Sequence, residues 1–128
     1  MKKPTIIMIS VEKGGTGKTT VALELCSTFG KDYKVLGIDL DPQMNLTMYA
    51  GADEKTGKTL KNVLDADILI EDSIQHLKDF DLIPGDKKLA NASKLYGDAD
   101  DIYLLKDALE DINDYDFIFL DSAPARSP

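Results

Sequence analysis

Thr5-Ile6-Ile7-Met8-Ile9-Ser10-Val11, Glu12, then Lys13-Gly14-Gly15-Thr16-Gly17-Lys18-Thr19-Thr20, then Val21 onward to Phe29 is the stretch that decides the fold. The apolar run reads as a buried strand, the glycine-rich segment as a turn, and the residues after it as a helix. Strand, glycine-rich turn, Lys-Thr and helix together are the layout of a phosphate-binding loop. Glycines let backbone N–H groups turn inward around phosphate oxygens, where Cβ atoms would crowd. The helix start adds unpaired N–H groups and a positive dipole end. Lys18 offers a point charge to the β- and γ-phosphates, and the Thr19 hydroxyl offers a ligand to Mg2+. A chance glycine-rich turn with nearby lysines would not bring both flanks with it.

Two further segments bear on the same chemistry. Lys34-Val35-Leu36-Gly37-Ile38-Asp39-Leu40-Asp41-Pro42-Gln43 reads as a short, continuous apolar strand, as in a parallel sheet covered on both faces. Pro42 stops it by removing a donor and restricting the residue before it. Alternation puts Asp39 and Asp41 on one side of the extended chain, at the carboxyl end where open α/β sheets bind ligands. An aspartate before a proline is also an ordinary turn signal, and the segment gains weight only beside the loop. Phe117-Ile118-Phe119-Leu120-Asp121 fits the strand carrying the Walker B carboxylate, which completes the metal site begun by Thr19. Alone that pattern is weak, since buried strands often end in Asp.

The general motif asks for glycine at position 12, where this chain has Glu12, and it does not ask for the second lysine, Lys13. With Lys13-Gly14-Gly15-Thr16-Gly17-Lys18-Thr19 the chain resembles the ParA/MinD group of deviant Walker A ATPases. Asp39-Leu40-Asp41-Pro42-Gln43 looks like the ParA (Soj-like) branch, and the stretch from Leu82 to Ala92 resembles the same proteins less specifically. The resemblance implies an α/β fold, a P-loop NTPase-like parallel sheet between two helix layers. It implies ATP (rather than GTP) and Mg2+ as ligands, with Gly14, Gly15, Thr16 and Gly17 shaping the loop. Lys18 and Thr19 would hold phosphate and metal, and Thr20 the α-phosphate. Lys13 would reach the partner's nucleotide across a homodimer. Asp41 would orient the attacking water, Asp121 would tune the metal, and Asp39 would lie just outside the metal's own ligands. The activity implied is that of a partition ATPase, which moves plasmids or chromosomes through nucleotide-dependent dimerisation, non-specific DNA binding and a stimulating ParB-like protein. Ser10-Val11-Glu12 departs from the family's usual approach to the loop, and Met44 stands where a glycine is usual.

The chain has 128 residues, enough for one domain and one core. ParA-type domains are about twice as long, so residues 1–128 are expected to be the N-terminal portion of such a domain, truncated after the Walker B strand. The alternative function is a nucleotide-binding or interaction module without turnover. A later strand would ordinarily cover one sheet edge, so an exposed edge is expected. The net charge is −8 and the one arginine is Arg126, which weakens the case for a DNA-binding face. No apolar stretch has the length of a membrane span and no signal-peptide pattern opens the chain. The single cysteine, Cys26, sits on an apolar helix face as a core residue, which fits a reducing cytoplasm. It is in the wrong place for an iron–sulfur reductase of this fold. A MinD-like membrane helix and a tyrosine-rich kinase tail are not found, and Asp-Pro-Gln points away from dethiobiotin-synthetase-like ligases.

Helices are expected over about 18–29, 46–49, 58–64, 68–77 and 101–113, and strands over about 5–11, 34–40, 80–83 and 117–120. Val21, Ala22, Leu25, Cys26 and Phe29 recur on one face of the first helix, with Gly30 as its C-terminal cap. Ile102, Leu105, Leu109 and Ile112 stripe the last helix, with Asp100 or Asp101 as its N-cap. Asp98, Asp100 and Asp101 read as cap and solvated surface rather than a metal site, and His76 as a surface residue. Met44 and Met48 read as helix packing.

Overall fold

The computed structural model describes residues 3–9, 17–53, 55–88 and 99–122, and of residues 18 and 99–104 the backbone alone. In chain order the elements are β1 (Thr5–Ile9), α1 (Lys18–Gly30), β2 (Val35–Asp39), α2 (Asn45–Tyr49), α3 (Leu60–Leu64) and α4 (Ile70–Ser73). β3 (Gln75–His76), β4 (Asp81–Ile83), α5 (Ala99–Glu110) and β5 (Phe117–Asp121) follow. The five strands form one sheet in the order β1-β5-β2-β4-β3. β1, β5, β2 and β4 run parallel, as the alternation of strands and helices predicts. β3 is antiparallel to β4, with Gln75 opposite Leu82 and His76 opposite Asp81.

β3 lies where the sequence reads as a helix over 68–77. Only Ile70–Ser73 is helical; Ile74 leaves the helix in extended geometry. The Leu77 N–H donates to the Phe80 carbonyl at 3.0 Å, so Lys78-Asp79 turns the chain back into β4. Edge pairing overrides the helical spacing of the apolar residues there.

Strand alternation sorts the core into two layers. Leu36, Ile38, Ile83, Ile118 and Leu120 face Leu60, Val63, Ile70, Leu105, Leu109 and Ile112 from α3, α4, α5 and the turn after α5. Val35, Leu82 and Phe119 face Ala22, Cys26 and Leu46 from α1 and α2. Helices therefore cover both faces, and continuous apolar strands are the sequence consequence. Gly37 lies under α1: a Cβ there would come within 3.2 Å of Cys26 Sγ and of Leu82 Cδ1. The expected stripe on α1 holds for Ala22 and Cys26, which are buried, and for Leu25 and Phe29, which pack against the same layer, but Val21 is exposed at 51%, off the buried face.

Gly30 is needed for a reason other than capping. It is the last residue of α1, and the cap position, Lys31, is right-handed. A Cβ on Gly30 would lie 2.0 Å from the Asp79 carbonyl oxygen, so close backbone approach requires the glycine. α5 begins at Ala99, which puts Asp100 and Asp101 inside its first turn rather than ahead of it. The side chains of the Asp98, Asp100 and Asp101 cluster and of Ile102 lie outside the described residues. Leu105, Leu109 and Ile112 are buried as expected. His76 is exposed on its edge strand and meets Asp81 at 3.0 Å.

Candidate functional site

Parallel register brings three strand ends level. Ile9 of β1 is opposite Asp121 of β5, and Asp121 is opposite Asp39 of β2. Alternation turns Asp39 and Asp121 toward α1, on the side of Gly37 and Phe119. Both aspartates are 0% exposed.

α1 starts at the same end of the sheet. Gly17 precedes it with φ 105°, a left-handed geometry that favours glycine. Among the described residues no side chain caps this helix end, and no acidic residue lies in its first turn. The N-terminal N–H groups and the positive dipole end therefore meet no competing carboxylate from α1 itself. Thr19 is buried in that first turn, and its hydroxyl lies 3.5 Å from Asp121 Oδ2. Thr20 is exposed on the same turn. Lys13, Gly14, Gly15 and Thr16 lie outside the described residues, as does the Lys18 side chain.

The segment after β2 is hung on Asp39. Asp39 Oδ1 accepts the Asp41 N–H at 3.0 Å. Oδ2 accepts the Thr47 N–H at 3.0 Å and the Thr47 hydroxyl at 2.7 Å. Burial pushes the Asp39 carboxyl up to about 6, against these three hydrogen bonds, and the charge of Asp121 adds to the rise. Asp41 is buried, accepts the Gln43 N–H at 2.9 Å, and its carbonyl accepts the Met44 N–H at 2.9 Å. Met44 takes φ 60° and ψ 29°, left-handed geometry that explains why glycine suits this position. It is held there with its side chain buried, whereas Met48 is 43% exposed, so only the first of the two methionines packs as expected.

Sequence reading missed Thr47 and Gly85. The Gly85 N–H donates to Thr47 Oγ1 at 2.9 Å, and a Cβ on Gly85 would come within 3.1 Å of Asp39 Cγ. The available signals were a polar residue at a buried helical position and a glycine just past a strand. Two clefts of about 280 and 310 Å³ open elsewhere, at the amino ends of the strands, and share Asn113, Asp114 and Tyr115. They contain none of the candidate phosphate or metal residues.

Asp121, the Thr19 hydroxyl and the start of α1 meet at the carboxyl ends of parallel strands beside Asp39, an arrangement that can hold a polyphosphate and a hard cation. The AAA domain family model matches residues 4–127. Maintenance of carboxysome distribution protein A of Gloeothece citriformis is 35% identical over 96% of this chain and 49% of its own length. The chromosome-partitioning ATPase Soj of Thermus thermophilus is 33% identical over 95% of this chain and 47% of its own. Among solved structures, the Cyanothece McdA–ATP complex has a TM-score of 0.87 at 31% identity, covering 98% of this chain and 50% of that one. A putative plasmid partition protein of Borrelia burgdorferi, bound to AMPPNP, has a TM-score of 0.84 at 34% identity, covering 97% and 55%. The chain thus spans about half the length of the relatives it matches. With the matched residues and the strand-end site in agreement, the chain belongs to the AAA domain family and carries the N-terminal half of a ParA-type P-loop ATPase.

Proposed function

We propose that this chain binds Mg-ATP at the carboxyl end of its sheet and supports its hydrolysis in a partition cycle of nucleotide-dependent dimerisation. One observation carries the reading most directly: Thr19 and Asp121, 102 positions apart in sequence, come within 3.5 Å of each other at the start of α1. Gly14, Gly15, Thr16 and Gly17 would cradle phosphate, Lys18 and Thr20 would hold it, and Thr19 and Asp121 would hold Mg2+. The metal, when bound, offsets the negative charge of the phosphates. Asp39 stays just outside the metal's ligands and spends its oxygens on Asp41 and Thr47. Asp41 orients the attacking water, and Lys13 acts across the interface of a homodimer. Movement of plasmids or chromosomes, a ParB-like stimulating partner and DNA binding are proposals of the same reading. The names of the Soj and Borrelia relatives support the first of these, and the net charge of −8 argues against a DNA-binding face on this part of the chain. The cytoplasm is the proposed compartment; no helix among the described residues is long and apolar enough to cross a membrane.

Calorimetric titration with Mg-ATP, alongside Lys18→Ala, tests the binding. The expected outcome is saturable binding that falls by about two orders of magnitude or more in the variant, the loss of a charge-assisted phosphate contact. Equal affinity in the two proteins would sink the reading. Asp41→Ala is expected to keep the affinity and lose phosphate release. Binding without any Asp41-dependent release in the parent chain would favour a nucleotide-binding module over an ATPase.

A further inference from the structure

We infer that the Thr47 hydroxyl, held by the Gly85 amide, is the junction that positions Asp41, so that Thr47 and Gly85 are positioning residues of the site. The function assigned to Asp41 rests on the reading above; the junction itself rests on the geometry below.

Thr47 is 0% exposed, and its hydroxyl does two jobs at once. It donates to Asp39 Oδ2 at 2.7 Å and accepts the Gly85 N–H at 2.9 Å. The Gly85 N–H can only donate and the Asp39 carboxylate can only accept, so the hydroxyl proton goes to Asp39. Asp39 in turn receives the Asp41 N–H on its other oxygen at 3.0 Å. One carboxylate thus fastens both ends of the segment 41–47 to the end of β2, and Thr47 ties that carboxylate to the turn after β4. The turn is itself anchored. The Pro84 carbonyl accepts the Leu60 N–H at 3.0 Å, and Asp86 Oδ2 accepts the Thr59 hydroxyl at 2.9 Å at the start of α3. Gly85 cannot carry a side chain without pressing on Asp39, because its Cβ would lie 3.1 Å from both Asp39 Cγ and the Asp39 carbonyl oxygen. A fully satisfied buried network of this kind has one low-energy arrangement and passes displacement from one member to the next. Without the hydroxyl, Asp39 keeps only backbone donors and the Gly85 N–H is left facing no acceptor.

Thr47→Val keeps the shape and deletes the hydroxyl; Thr47→Ser keeps the hydroxyl. Amide hydrogen exchange by NMR on the whole chain reads the junction without any need for turnover. Faster exchange is expected at Gly85, which loses its acceptor, and also at Asp41, whose N–H is joined to the Thr47 hydroxyl through Asp39. Thr47→Ser should restore both. Faster exchange at Gly85 with Asp41 unchanged would overturn the proposal, because Thr47 would then be a local packing residue. In an Mg-ATP assay the valine variant should lose on the order of 10-fold to 100-fold in kcat with KM little changed, the pattern of a displaced reacting group. Equal kcat in the two proteins, or a loss in KM alone, would also overturn it. A parent chain that binds nucleotide but does not turn it over would sink the hydrolytic reading, and the exchange at Asp41 would still decide the junction. If Thr47→Val does not fold, Thr47→Ala, which also deletes the hydroxyl, carries the same comparison against Thr47→Ser.

Discussion

Asp39 is a carboxyl kept in the sheet interior, and its protonation should be visible in folding. Its folded value is pushed up to about 6 from 3.8, chiefly by burial. Between those two values the folded chain holds a proton that the unfolded chain has released. The contribution of Asp39 to stability is therefore fully present below about pH 3.8 and is lost as pH rises through about 6. Other carboxylates add their own slopes, so the comparison is with Asp39→Asn, whose amide does not titrate. The unfolding free energy of the parent minus that of the variant should fall across this window and level off above it. A difference that stays flat from acid to neutral pH would mean that Asp39 titrates as an ordinary carboxyl. Asp39, Asp41 and Asp121 could be read in the sequence because each sits at or just past an apolar strand, where chain alternation fixes which side they take. Thr47 and Gly85 gave only a polar residue on a helix and a glycine past a strand, because their roles depend on a hydrogen bond between segments that are 38 positions apart.

At the scale of the element, strand and helix identity were legible and close approaches were not. β1, α1, β2 and β5 follow from apolar runs, a glycine-rich turn and helical spacing. β3 escaped because it is two residues long and owes its existence to the Asp81–Ile83 strand beside it. Gly30 makes the same point with a sign that can be measured. A glycine at a helix end reads as a candidate for replacement, since Gly→Ala in a helix gains roughly 1 kcal/mol from propensity alone. Here the new Cβ would sit 2.0 Å from the Asp79 carbonyl oxygen, a backbone atom in the turn that leads into β4. Relief requires α1 and that turn to separate, which costs more than propensity returns; overpacking of this kind costs about 1–3 kcal/mol or more. Gly30→Ala should lower the urea midpoint without changing the slope of the transition. A midpoint equal to or above the parent's would show that α1 can shift at its end.

For the whole molecule, an exposed sheet edge stands against net charge. Among the described residues β1 pairs with β5 alone, at one end of the strand order. Ile7 and Ile9 pack against the α1 layer, while Ile6 and Met8, opposite Ile118 and Leu120 in register, are 44% and 50% exposed. An apolar strand with a free row of N–H and C=O groups is a template for pairing with another chain. The net charge of −8 opposes such pairing by repulsion, and that repulsion is screened by salt. Self-association should therefore rise with salt, which separates edge pairing from contacts held by opposite charges, since these would weaken. Met8→Lys places a charge on the edge and should hold the chain monomeric in sedimentation at high salt. Leu69→Lys makes the same change in net charge at a residue that is 70% exposed and lies off the sheet, and should not. Equal behaviour of the two variants would mean that total charge, not the β1 edge, governs association. Association that falls as salt is added would overturn edge pairing outright.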